Sequence, residues 1–222
     1  MTGTPGTDLV YINEEFRAVS VGPVQYDRLL ADAWRHFGTH FFRYSLGVYD
    51  SEIRRVIPLR IRLDDLTLSK SQHRIIRRNA DLETAINPIC ITPETHDLFE
   101  RHKRRFKSGV PDSIYDFVAR DAARSPTDLF EVTVRDNGRL AAASFFDIGE
   151  TSVSSIYGLF DPDERSRSLG IFTMLKEIEF ARSSGREFYY HGYAYEGESY
   201  YDYKKRFSGL EAYDWNGEWL KF

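Results

Sequence analysis

Polar and apolar positions follow two rhythms along this 222-residue chain, and the change of rhythm divides it. The helical rhythm dominates the first half. After a loose Gly/Thr/Pro-rich start and a short strand at LVYIN, Pro23 opens VQYDRLLADAWRHF, where Tyr26, Leu29, Leu30 and Trp34 recur at helical spacing up to Gly38. THFFRYSLGVY is aromatic enough for a strand or a buried connection. VIPLRIRL (56–63) alternates with period two, and Pro58 places it near an edge or a bulge. SKSQHRIIRRN from Ser69 reads as a basic helix or the approach to a strand, and PETHDLFERHKRRF (93–106) and SIYDFVARDA (113–122) read as helices. From Asp128 the period shortens. LFEVTVRDNGRLAAASFFDIGETSVSSIYGLFD predicts three antiparallel strands, the first two joined through an Asp-Asn-Gly turn. A helix over 168–184 and a strand at EFYYHGYAY follow. A strand reached through a helix is expected to lie parallel to the one ending at Leu159.

Strand–strand–strand–helix–strand is the central order of the N-acetyltransferase-like (GNAT) fold. The expected fold is therefore α+β: a GNAT-like mixed sheet with flanking helices over 111–222, preceded by a smaller, basic α/β lobe over 1–110. In that fold the loop before the central helix offers backbone N–H groups to a pyrophosphate. The nearest match is Arg167-Ser168-Leu169-Gly170-Ile171-Phe172. Its first two anchors are present, and a phenylalanine stands where a small residue lets the backbone close on coenzyme A.

Composition narrows the class. Hydrophobic residues at 41% and aromatics at 15% argue for a globular core and against disorder. No apolar run approaches the roughly 20 residues of a membrane helix, and MTGTPGTDLVYINEEF lacks the features of a signal peptide, so the expected location is the cytoplasm. One cysteine, Cys90, excludes an internal disulfide and a multi-cysteine metal centre. The net charge of −4 conceals a basic stretch, Arg54–Lys107, with 13 Lys and Arg against 7 Asp and Glu, which suggests a local polyanion contact.

Several blocks, in order, carry a resemblance: YDRLLADAWRHFGTHFFRY, IPLRI, SKSQHRIIRRNADL, IYGLFDPDERSRSLGIFTMLKEIE and YDYKKRFSGLEAYDWNGEW. From about Tyr26 to Trp219 the chain resembles the aminoacyl-tRNA–protein transferases, the arginyl and leucyl transferases of the N-degron pathway. The resemblance implies a GNAT-type core that takes an amino acid from charged tRNA to the α-amine of a protein or peptide, often one beginning with Asp or Glu. It implies aminoacyl-tRNA as co-substrate with no cofactor, and neither membrane nor DNA as partner. For the tRNA and its 3′ end the candidates are Arg74, Arg77, Arg78, Arg167, Ser168, Leu169 and Gly170. Tyr157, His191, Tyr203 and Lys204 are the catalytic candidates, with Glu131 and Asp147 as further possible bases, and Arg43 and Arg60 are candidates for the acceptor.

Two departures stand out. The cysteines that the family commonly carries near the N-terminus and before the PLRI block are missing, and AYEGESYYD is acidic and aromatic where relatives tend to have Trp and Lys. The residues alone leave two other readings open: an acyl-CoA N-acyltransferase acting on a small amine, and a non-catalytic peptide- or RNA-binding relative. The missing cysteines generate the first prediction. Elemental analysis of tag-free protein is expected to find no stoichiometric zinc or iron, and a near-integral content of either metal contradicts this.

Overall fold

The computed structural model describes residues 10–106, 109–121 and 124–222. The N-terminal part forms a small antiparallel sheet of β1 (Asn13–Arg17), β2 (Arg35–Phe37) and β3 (His40–Tyr44) in the order β1-β3-β2, beside helix α1 (Pro23–Ala31). The strand expected at 9–13 is thus displaced to β1, and residue 9 lies outside the described residues. The helix expected to run to Phe37 stops at Ala31. Trp34 N–H donates to Leu29 O (2.9 Å) and Ala33 N–H to Leu30 O (3.0 Å), with Ala33 at φ 63°. This is a Schellman stop built on alanine instead of glycine. Trp34 packs in the same cluster as Leu29, which mimics one more helical turn, while Arg35 and His36 enter a strand.

The main sheet contains β4 (Leu46–Tyr49), β5 (Glu52–Arg62), β6 (Glu83–Pro88), β7 (Asp128–Asp136), β8 (Arg139–Ile148), β9 (Ser152–Phe160), β10 (Phe188–Tyr195), β11 (Leu210–Tyr213) and β12 (Trp219–Lys221). Its order is β12-β11-β5-β10-β9-β8-β7-β6, with β4 also on β5. The three-strand meander, the helix and the parallel β9–β10 pair are as expected, and the architecture is the α+β, GNAT-like one. The expected boundary at 110 does not separate sheets, because β5 and β6 share this sheet with the strands that follow. Pro58 lies between the last β4 pair, at Arg55, and the first β11 pair, at Leu59, where β5 has no neighbour on that side.

Helices α2 (Lys70–Arg78), α3 (Pro93–Lys103) and α4 (Leu169–Ser183) cover the sheet. The SKSQ block is a capping box: Ser69 Oγ accepts from Gln72 N–H, and Gln72 Oε1 accepts from Ser69 N–H. Over 113–122 a helix was expected. A single 3-10 turn, Ile114–Asp116, stands there, closed by Asp116 accepting from Ser113 N–H (3.1 Å), and residue 122 lies outside the described residues. β8 is buried from Leu140 to Asp147 because both faces are covered. Ala142 and Phe146 join Leu169 and Phe172 of α4, while Leu140, Ala143 and Phe145 join Leu98 and Phe99 of α3. The β7–β8 turn uses Asn137 (φ 49°) and Gly138 (φ 81°), the left-handed pair that a type I′ hairpin requires.

One buried carboxylate fastens the small sheet to the large one. Asp147 of β8 accepts from Tyr26 OH (3.1 Å) and Thr127 Oγ1 (2.5 Å) and pairs with His36 Nε2 (2.8 Å). It is fully buried, and so not a base open to substrate. Asp147→Ala strands two buried partners at once, so a loss of about 3–5 kcal/mol in denaturant-measured stability is expected. Tyr26→Phe, which removes one bond of three, is expected to cost about 1 kcal/mol. Equal small losses for the two variants contradict the assignment.

Candidate active site

β9 and β10 are hydrogen-bonded only at their start. Their register runs from Ser152↔Phe188 to Ser154↔Tyr190, although both strands continue for five residues or more. The cause is a pair of bulges at one level. On β9, Ser155 and Tyr157 face consecutive residues of β8, which leaves Ile156 extra. On β10, Tyr190 and Gly192 face consecutive residues of β5, which leaves His191 extra. A bulge bends its strand and sharpens its twist. Two bulges just past the last shared pair, one on each strand, drive the strands apart and leave backbone polar groups lining a gap.

The 3-10 turn Tyr200–Lys205 fills one side of that gap. Lys204 Nζ donates to Tyr193 O (3.0 Å), and Lys204 O accepts from His191 Nε2 (2.9 Å). Gly192 has φ 87°, a backbone conformation that favours glycine, and a Cβ there would sit 3.1 Å from Lys204 Nζ, so any larger residue would also press on the lysine end. Arg35 of β2 enters from the other side. It donates to Ser154 Oγ (2.6 Å) and to Ser155 O, and among the described residues no carboxylate forms an ion pair with it.

Burial governs the charges here. Desolvation, with the Arg35 charge adding to it, pushes the Lys204 amine down to about 7. His191 is pushed down to about 3 by burial and then by Lys204. Its Nε2–H faces a carbonyl, so Nδ1 carries the lone pair, and that atom has no partner among the described residues. From α4, Glu177 is held up to about 7 by burial and accepts from Tyr189 OH (2.6 Å), while its Oε1 is unpartnered among the described residues. Burial likewise raises Tyr157 and Tyr203 far above the ordinary tyrosine value, and both remain neutral phenols. Tyr157 stacks on Phe117 (3.9 Å, 9°) with its hydroxyl unpartnered among the described residues. The expected set Tyr157, His191, Tyr203 and Lys204 is thus distributed over the two walls of one gap. Of the other expected bases, Glu131 lies two strands away on β7, pushed up to about 7 by burial and accepting from the Cys90 backbone.

The loop before α4 is held from below by α2. Asn79 Nδ2 donates to Arg167 O (2.9 Å), Arg78 donates to Ser166 O, and Arg167 forms a two-pronged pair with Asp81 (2.9 and 3.0 Å). Arg78 and Arg167 therefore brace the loop, whereas Arg74 and Arg77 are exposed on α2. Asp161 closes the entry by accepting from Asp163 N–H (3.1 Å) and from Arg101 and Arg139. Ser168 adopts φ 55° and sets the first turn of α4, whose Leu169 and Gly170 N–H groups have no backbone acceptor among the described residues. Gly170 answers to packing: a Cβ there would lie 3.0 Å from the Phe160 ring. The Leu169 and Phe172 side chains are core residues, so the phenylalanine at the third anchor points away from the loop.

Arg43 and Arg60, the acceptor candidates, each pair with an acid of the fold. Arg43 Nε donates to Glu14 (2.7 Å) over the Trp34 ring. Arg60 donates to Glu211 (2.6 Å) between the Phe188 and Trp219 rings, on β5. Sequence reasoning missed Arg35 and Glu177. Arg35 was hidden inside an expected helix, and Glu177 gave a signal only as an acid on the apolar stripe of α4. Among the described residues no three His, Cys, Asp or Glu side chains come together as metal ligands, and no helix is long and apolar enough to cross a membrane.

Comparison with known proteins agrees with this geometry. An aspartate/glutamate leucyltransferase of Acinetobacter baumannii is 30% identical over 227 residues, covering 98% of this chain and 82% of that protein. One of Paramagnetospirillum magneticum is 35% identical over 170 residues, 75% of this chain and 69% of that protein. The crystal structure of FemX is similar in fold alone, with a TM-score of 0.52 at 12% identity over 90% of this chain and 71% of that one. Residues 94–214, which hold both walls of the gap and the loop before α4, match the family described as arginine-tRNA-protein transferase, C terminus. With that match over half its length, the chain belongs to the aminoacyl-tRNA–protein transferase family and is an aminoacyltransferase.

Proposed function

We propose that the chain moves leucine from charged tRNA to the α-amine of a protein or peptide that begins with Asp or Glu. The observation that carries this reading is Lys204: a buried amine near neutrality, set where β9 and β10 part. An aminoacyl ester is already activated, so the site has to position the two reactants and move one proton. The acceptor amine attacks the ester carbonyl carbon, the C–N bond forms, and the C–O bond to the ribose breaks. Lys204 takes the proton from the attacking nitrogen and returns one to the departing ribose oxygen. Arg35 supplies the fixed positive field for the oxyanion.

Two observations favour leucine and an acidic acceptor. The relatives above are named aspartate/glutamate leucyltransferases. The gap also carries Arg35, a fixed cation that disfavours an arginyl side chain and favours an incoming carboxylate. The 3′-terminal phosphate is assigned to the free N–H groups of Leu169 and Gly170, and tRNA backbone contacts to Arg74 and Arg77. With charged tRNA as co-substrate, the proposed location is the cytoplasm and the proposed reaction uses no cofactor.

Purified protein given a panel of charged tRNAs and peptides is expected to transfer leucine to Asp- and Glu-terminated peptides. Transfer of arginine alone contradicts the choice of amino acid, and no transfer from any charged tRNA contradicts the function. A second expectation concerns Lys204→Met, which should lower kcat on the order of 10²–10⁴-fold. Between the folded value of about 7 and the unfolded value near 10.5, only the unfolded chain holds the proton, so this lysine destabilises the fold progressively as pH falls toward 7. The melting temperature of Lys204→Met relative to the parent should therefore be higher at pH 7 than at pH 10. An offset equal at both values shows that the lysine is not buried as described.

A further inference from the structure

At the mouth of the gap an arginine is held by aromatic rings instead of by an acid. Arg105 follows α3, and its guanidinium carbon lies 4.5 Å from the Phe160 ring centroid, 5.2 Å from Phe106 and 5.3 Å from Tyr200. It donates to Tyr200 OH, and among the described residues no carboxylate forms an ion pair with it. Tyr200 is 59% exposed, yet it is fixed in place. Its N–H donates to Tyr49 OH (2.8 Å), and its ring stands at 86° to Tyr201 and 77° to Tyr203. An exposed tyrosine with an oriented ring, bridged to a flat cation, offers stacking faces prepared in advance.

The position of this pair identifies what it would stack. Phe160 ends β9 and packs against Gly170 at the start of α4, so Arg105 stands next to that helix terminus. On the other wall, Tyr200 leads through Tyr201 to Lys204, whose Nζ lies 5.2 Å from the Tyr201 ring centroid. Gly170, Phe160, Arg105, Tyr200, Tyr201 and Lys204 thus form one continuous lining from an anion-accepting end to the reactive amine. A ligand that spans it carries a phosphate, a flat ring and an ester in that order.

We propose that Arg105 and Tyr200 form a stacking clamp for the terminal nucleobase of the RNA substrate. The inference rests on the aminoacyl-tRNA reading and adds to it the residues that hold the last base. Stacking on tyrosine and arginine tolerates any base, so the clamp orients the 3′ end and leaves the choice of tRNA to contacts elsewhere.

The test uses deacylated tRNA ending in CCA and the same tRNA lacking the terminal adenosine, with affinities measured on folded protein. The parent is expected to prefer the complete tRNA by roughly five- to a hundred-fold, the range of one base–aromatic stack. Tyr200→Ala should abolish most of the preference with an unchanged melting temperature, while Tyr200→Phe, which keeps the ring face, should retain it. Equal affinity of the parent for both RNAs overturns the clamp, as does a full preference in Tyr200→Ala. Leucyl transfer by the parent is measured in parallel. If transfer is present and the preference survives in Tyr200→Ala, the clamp is wrong and the function stands. If the parent neither transfers nor binds tRNA, both are wrong.

Discussion

The site depends on one interruption of hydrogen bonding, the parting of β9 from β10 after Ser154↔Tyr190. A parallel pair left intact would satisfy its own backbone and present nothing to a substrate. The extra residues Ile156 and His191 come just after the last shared pair, one on each strand, so neither strand can follow the other further. Tyr193 O then turns to Lys204 and Ser155 O to Arg35. Both side chains are thus held in the gap by carbonyls that an unbroken sheet would have consumed.

Interior charge is the cost of this arrangement, and the protein disperses it. Lys204 is pushed toward its neutral form, His191 is kept neutral, and Glu177 is held near neutrality with a bond from Tyr189. Arg35, which cannot give up its proton, is left as the fixed positive charge. A full ion pair between Arg35 and Glu177 would cancel the field that an oxyanion or an incoming carboxylate would feel. The structural charges behave differently: Asp147, Arg60 and Asp161 are each fully met by named partners away from the gap.

Much of the frame was legible because local chemistry dictates it. Asn137-Gly138 specifies its hairpin, and the change of period at Asp128 marks the meander, whereas the Ser69–Gln72 capping box decided for a helix where the sequence reading left helix or strand approach open. Lys204 was legible through its block, YK-x-x-F, whose Phe207 packs into the core beside His191. What escaped depends on contacts between distant residues. Arg43 and Arg60 find Glu14 and Glu211 only after the sheets assemble, and Arg167 finds Asp81 across the loop. Arg35 was hidden because Ala33 ends α1 in a conformation that glycine usually signals. Gly170 and Phe172 matched a phosphate-loop pattern, yet one makes room for Phe160 and the other fills the core.

The central claim is that acyl transfer occurs between the diverging strands, against Lys204. It is tested most directly by a structure with leucyl-adenosine in which an amide replaces the labile ester. The account predicts the leucyl carbonyl in the gap, within hydrogen-bond distance of Lys204 Nζ or Arg35, with the adenosine toward the start of α4. An analogue bound against the small β1–β3 sheet, or on the outer face of β5 near Arg60, would contradict it.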